Sequence, residues 1–246
     1  MIQPVPALVG ALAGMILGSF LATLILRWPQ GRSMLRGRSA CDGCGRTLGA
    51  RDLIPMVSAM MSKGRCRTCG GRIDPLHGRV EAGCAIIGAL AIGFRPDLGG
   101  VAWALLGWVL LTLAVLDWRH FWLPDALTLP MAFLGFTIGA WATDVAMGDR
   151  IVGAVAGYGT LLAIAIGYKA VRRRDGLGMG DAKLLGALGA WFGWQALPFI
   201  LLLAALLGLA VALATGRAKG STHVPLGTFL ALAAFPAWLV TMSIMA

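Results

Sequence analysis

Four cysteines and two aspartates are the residues of this sequence whose types and spacing suit chemistry. Cys41-Asp-Gly-Cys44 and Cys66-Arg-Thr-Cys69 are two CxxC pairs separated by 21 residues, close to the spacing of a four-thiolate zinc site. Each pair can wrap a tight turn about one metal, with Gly45 and Gly70 turning backbone amides toward sulfur. Four protein ligands leave no open coordination position. The expected ion is therefore structural, folding a loop of about 50 residues that lacks the apolar material for a core. A pair of disulfides is the alternative, and it is disfavoured in the reducing compartment to which the topology below assigns the loop. Cys84 lies among Ala, Gly and Ile and reads as a small apolar residue.

The chain holds only eleven acidic residues, and a carboxylate beside an apolar segment is costly enough to be a functional candidate by default. Asp117 closes one apolar run, Ala114-Val-Leu-Asp117, and Asp181 opens another after Asp175-Gly-Leu-Gly178-Met-Gly180. Two carboxylates brought together from separate helices cannot easily both ionise. They can share a proton, one acting as general base on water while the other polarises a scissile carbonyl. The plainer alternative makes them helix-end residues, Asp181 an N-cap and Asp117 a partner of Arg119 or Lys183. Glycines 176, 178 and 180 favour the chemical reading where they allow a substrate backbone to pass close to the carboxylate, and are equally expected as plain turn residues. Asp125 follows Pro124, where capping and a direct role are equally expected. His77, His120 and His223 fall in expected loops without metal-ligand spacing, and no serine–histidine–acid arrangement is visible.

These residues need elements to hold them, and the composition says which. Of 246 residues 58% are hydrophobic and 13% charged, and the apolar residues form long runs: 5–26, 82–94, 100–116, 126–143, 151–168, 182–194, 196–215 and 224–246. Against the roughly 20 residues a helix needs to cross a bilayer, they predict an all-α bundle of eight spans, the second and sixth short enough to borrow flanking residues. Gly153, Gly157, Gly186 and Gly189 are spaced for tight helix contacts. The net charge of +10 would fit a nucleic-acid partner, but its placement argues for membrane orientation instead. With the N-terminus outside, only Arg95 and Arg150 fall in external loops, so 19 of 21 basic residues lie inside. The expected organisation is a first helix over 1–27, a cytoplasmic zinc-binding loop over 28–81 and a transmembrane unit over 82–246. The two aspartates then stand at the cytoplasmic ends of their helices.

Gly18-Ser-Phe-Leu21 with Arg27-Trp-Pro29, the two CxxC pairs, Asp117 followed by Leu123-Pro-Asp125-Ala-Leu-Thr-Leu-Pro130, and Gly178-Met-Gly180-Asp181-Ala-Lys-Leu-Leu185 together resemble the bacterial type IV prepilin peptidases and N-methyltransferases. These are intramembrane aspartyl proteases of the GxGD type. The resemblance covers nearly the whole chain. It implies Asp117 and Asp181 as the catalytic pair, with Asp125, Asp175, Gly178 and Gly180 in supporting positions. It implies a multi-pass protein of the bacterial inner membrane whose substrates are prepilins or pseudopilins. Each would have a short basic leader cut off after a glycine at the cytoplasmic face. It implies further that the new N-terminus is methylated from S-adenosylmethionine, a function dependent on the cysteine-bearing region. The sequence departs from the family pattern in that region: Arg51-Asp-Leu-Ile-Pro55 lacks the usual aromatic and Asn, and Leu76-His-Gly-Arg-Val-Glu81 replaces an RYPLVE-like run. Glu81 is the candidate residue for methyl transfer, with a helix-end carboxylate as its plainer reading. Two other classes of function stay open from the residues alone: a membrane assembly protein that docks machinery through the zinc loop, and a proton-coupled transporter. The first loses ground if Asp117 and Asp181 come within reach of a shared water; the second needs carboxylates near the bilayer midplane, whereas these stand at helix ends.

Overall fold

The computed structural model describes residues 2–32, 39–41, 43–52, 55–56, 58, 61–174, 176–215 and 224–244. Asp42, Asp175 and His223 lie outside the described residues. The fold is all-helical, as expected. Among the described residues the only extended pairings are two isolated bridges, Ala40 with Thr47 and Arg65 with Arg72. Among the described residues nine α-helices follow one another: α1 Pro4–Arg27, α2 Leu76–Phe94, α3 Leu98–His120, α4 Asp125–Phe136, α5 Ile138–Ala142, α6 Met147–Arg172, α7 Met179–Phe192, α8 Leu197–Ala214 and α9 Leu226–Ile244. Five helical stretches among the described residues are long and apolar enough to cross a membrane: Pro4–Gln30, Leu76–Phe94, Leu98–His120, Met147–Arg172 and Trp194–Ala214.

The chain divides into two compact units, Met1–Asp97 and Leu98–Ala246. In the first, α1 and α2 pack through a stripe of small residues. Gly10, Gly14 and Gly18 are buried on α1 at four-residue spacing. Gly10 and Gly14 press on the backbone of Gly88 and Cys84, and a Cβ on Gly18 would stand 2.8 Å from Glu81 Cα. So close an approach is how helices gain dispersion energy where lipid removes the hydrophobic drive. The α2 helix starts at Leu76, where the Asp74 carboxylate accepts the Leu76 N–H at 2.8 Å, and so includes His77, which the sequence reading left in a loop.

In the second unit the expected glycine contacts join α6 to α7. Gly153 and Gly189 touch through their backbones, and a Cβ on Gly157 would lie 2.6 Å from the Leu185 carbonyl oxygen. The α3 and α9 helices are joined where the Trp238 Nε1–H donates to the Trp103 carbonyl at 2.9 Å. The run 126–143 is broken at Thr137, whose dihedrals are −106° and −82°, giving α4 and α5 instead of one helix. Arg150 corrects a second expectation. It is not in an external loop but in the first turns of α6, with no exposed surface. Its guanidinium donates to the carbonyls of Gly135 at 2.9 Å, Ala190 at 2.8 Å, Trp191 at 3.2 Å, Gly139 at 2.9 Å and Val145 at 3.1 Å, and to the Thr143 hydroxyl. A cation among the terminal carbonyls of α4 and α7 satisfies acceptors that a helix end leaves open and favours the negative ends of both dipoles.

Candidate active site and metal centre

Asp117 lies in α3, three residues before its end, and is 5% exposed; Asp181 is the third residue of α7 and is 8% exposed. Two of the plainer contacts are absent. The N-cap of α7 is Gly178, so Asp181 is not a cap, and the Lys183 ammonium pairs with Asp125 at 2.7 Å instead of with Asp117. Asp117 Oδ2 accepts the Thr228 backbone N–H at 2.7 Å and lies 3.1 Å from the Thr228 hydroxyl, which also reaches the Ala114 carbonyl at 3.0 Å. Thr228 belongs to the first turn of α9, where backbone N–H groups have no partner within the helix, so α9 supplies a ready donor to the carboxylate.

The preceding residue brings the two aspartates together. A Cβ placed on Gly227 would stand 3.0 Å from Asp181 Oδ1 and 3.1 Å from Asp117 Oδ2. The two oxygens thus flank one point and are separated by no more than the sum of those distances, which places both carboxylates on the same small space. The same Cβ would lie 2.6 Å from Leu123 Cδ1. Gly227 is thus a floor without a side chain beneath two buried carboxylates. Leu123 also covers Gly180, where a Cβ would meet Leu123 Cβ at 2.8 Å, and a Cβ on Gly178 would lie 3.2 Å from Asp181 Oδ2. Gly178 keeps space free beside Asp181, whereas at Gly180 the missing Cβ makes room for Leu123. Asp125, the first residue of α4, is 55% exposed in its side chain and stays outside the buried pair.

Sequence reasoning located both aspartates but missed Gly227 and Thr228, which are more than 100 positions away from Asp117. Their only signal was a Gly-Thr pair in the first turn of the last apolar run. Trp118, Phe121 and Met179 are exposed around the same helix ends, and Trp118 meets Phe229 edge-on at 6.3 Å.

The second cluster lies in the first unit. The sulfur atoms of Cys41, Cys44, Cys66 and Cys69 all lie within 4.8 Å of one another. Each CxxC turn closes in the same way: Gly45 N–H to the Cys41 carbonyl and Gly70 N–H to the Cys66 carbonyl, both 2.9 Å, with φ of +70° at both glycines. The repeated knuckle is the geometry expected from the sequence. The Cys69 and Thr68 backbone N–H groups stabilise the Cys66 thiolate and push its pKa down to about 6. At Cys69 the Gly71 N–H works in the same direction, but hydrogen bonds with Cys44 and Cys66 outweigh it and push the pKa up to about 11. Four converging sulfurs fit a tetrahedral thiolate-bound ion. Glu81, expected at the mouth of a span, is in the second turn of α2, 5% exposed, with Oε2 accepting the Met56 N–H at 2.7 Å.

A family model described as the type IV leader peptidase family matches residues 104–213, and one described as the bacterial peptidase A24 N-terminal domain matches residues 12–94. A protein of Aeromonas hydrophila named prepilin leader peptidase/N-methyltransferase is 38% identical over 206 residues, 82% of this chain and 71% of its own length. A relative of the same name from Stutzerimonas stutzeri is 33% identical over 255 residues, 92% of this chain and 88% of its own. One from Burkholderia pseudomallei (strain K96243) is 40% identical over 199 residues, 79% and 64% of the two chains. No solved structure matches the chain.

Proposed function

The chain belongs to the type IV leader peptidase family, and on that premise we propose that it removes the leader from prepilins or pseudopilins with Asp117 and Asp181 as an aspartyl pair. The observation that carries this reading is the pair of buried carboxylates about 3 Å from one point above Gly227. Two carboxylates so close in a low-dielectric site hold one proton between them. The ionised one draws a proton from the shared water as that water attacks the scissile carbonyl, and the protonated one donates to the carbonyl oxygen. The Thr228 N–H fixes Asp117 in orientation, Gly178 leaves room for an extended substrate backbone beside Asp181, and Gly180 lets Leu123 pack close to the pair.

The cut is made after a glycine at the cytoplasmic face of the bacterial inner membrane, with the chain's N-terminus outside and eight spans in all. The distribution of basic residues supports that orientation. Cys41, Cys44, Cys66 and Cys69 hold a structural zinc, which supplies folding energy to the loop and no reactive position. The relatives' names join an N-methyltransferase to the peptidase, and this chain methylates the new N-terminus in the same way. S-adenosylmethionine supplies the methyl group when bound. Asp125 and its ion pair with Lys183 brace α4 against α7 beside the pair, and Asp175 lies outside the described residues.

The test is to incubate the purified chain with a prepilin in detergent and weigh both products. Loss of the leader at a Gly–X bond, with the mass gain of one methyl group on the mature product when S-adenosylmethionine is added, is expected. An uncut prepilin, or a cut at another bond type, would contradict the proposal.

A further inference from the structure

One apolar side chain shares the space of the aspartyl pair. Leu123 lies on the short connection between α3 and α4 and is 9% exposed. Both ends of that connection are tied down. The Phe121 N–H donates to the carbonyl of Asp117 itself at 2.9 Å, and the Pro124 carbonyl accepts the N–H groups of Leu127 at 3.0 Å and Thr128 at 3.1 Å. Phe121 makes the turn with a φ of +51°. A side chain on a short segment fixed at each end is held where it stands.

Two glycines on other helices make room for Leu123. A Cβ on Gly180 of α7 would stand 2.8 Å from Leu123 Cβ, and one on Gly227 of α9 would stand 2.6 Å from Leu123 Cδ1. Both are well inside the about 3.5–4.0 Å at which carbon atoms pack. The point above Gly227 is also 3.0 Å from Asp181 Oδ1 and 3.1 Å from Asp117 Oδ2. One methyl group of Leu123 and both carboxylates therefore converge on it.

From this convergence we infer that Leu123 sets a size limit on the substrate residue before the scissile bond, admitting glycine and excluding residues that carry a Cβ. The inference rests on the aspartyl reading above and names a specificity residue for it. A carbonyl that is to be attacked must come within roughly 3 Å of the pair. The side chain of the residue that owns this carbonyl begins about 2.5 Å from the carbonyl carbon. A Cβ there meets the Leu123 methyl group, and a hydrogen atom does not.

The test compares two prepilins, one with glycine and one with alanine before the scissile bond, each cut by the full chain in detergent and scored as kcat/KM. One methylene at an apolar wall is worth about 10–200-fold in such a comparison, so wild type should prefer the glycine substrate by at least about tenfold. Leu123→Ala should narrow that preference to within about threefold, whatever its overall rate. Leu123→Val removes less volume, should give an intermediate ratio, and decides the matter if Leu123→Ala does not fold. The ratio is the readout because a merely structural role would lower both rates together and leave it unchanged. A wild-type preference retained in the variants overturns the inference while the aspartyl reading stands, and so does a wild-type chain that cuts both prepilins at similar rates. A wild-type chain that cuts neither sinks the aspartyl reading along with the inference.

Discussion

Substituting Gly227 by alanine adds one methyl group at the centre of the aspartyl pair. Its Cβ would come 2.6 Å from Leu123 Cδ1, 3.0 Å from Asp181 Oδ1 and 3.1 Å from Asp117 Oδ2. Carbon atoms pack at about 3.5–4.0 Å, so Leu123 or the first turn of α9 must give way by about 1 Å. The methyl group also takes space within hydrogen-bond range of both carboxylates, where the attacking water belongs. A misplacement of about 1 Å in a catalytic constellation costs on the order of 100-fold in rate, or about 2.7 kcal/mol of barrier. Helix propensity works the other way: alanine within a helix is about 1 kcal/mol better than glycine, so the backbone itself is not destabilised. The expected result is a kcat for prepilin cleavage lower by about 100-fold with a melting temperature in detergent close to wild type. Cleavage within about threefold of wild type would refute the geometry argued here, because the crowded point would then not be where the reaction occurs.

Thr228→Val removes the hydroxyl contact to Asp117 but keeps the backbone N–H; a drop in kcat of about 3- to 30-fold in the same assay is expected, smaller than for loss of either aspartate. Arg150→Met leaves the terminal carbonyls of α4 and α7 without donors, and a loss of about 3–5 kcal/mol is expected, seen as a fall in thermal stability that Arg150→Lys does not restore because one ammonium cannot reach five carbonyls and a hydroxyl. Asp125→Asn breaks a half-exposed ion pair worth at most about 1 kcal/mol, so stability should hardly change and cleavage should fall by less than about tenfold. Elemental analysis should find one zinc per chain, and a chelator that removes it should abolish methylation while leader cleavage persists. Acid should have the same effect on the metal. Zinc needs thiolates, so protonation of the four cysteines at low pH should lower zinc occupancy.

Asp117, Asp181 and the four cysteines could be found in the sequence because each announces itself locally. A carboxylate ending an apolar run and a doubled CxxC need no knowledge of the rest of the fold. The contacts that orient them are not local. Thr228 meets Asp117 across 111 positions, and nothing in a Gly-Thr pair states which helix it will face. Arg150 was misread for a related reason. Counting charge against topology treats a basic residue as a loop marker, whereas six hydrogen bonds to carbonyls and one hydroxyl around it compensate its burial inside the second unit. Apolar runs likewise marked where helices lie but not where they stop. The break at Thr137 divides a largely apolar run, and α2 begins six residues before its run, where the Asp74 carboxylate accepts the Leu76 N–H. Glu81 is buried by that same extension, which brings it beneath Gly18 of α1.

The central claim is that Asp117 and Asp181 act together on one water, and single-turnover cleavage of a prepilin by Asp117→Asn and Asp181→Asn tests it most directly. Each substitution keeps size and hydrogen-bonding shape while removing the shared proton. Both variants should fold and bind the prepilin as wild type does, yet lose cleavage by at least about 1,000-fold. Cleavage at more than about a tenth of the wild-type rate in either variant would mean that the pair does not perform the reaction.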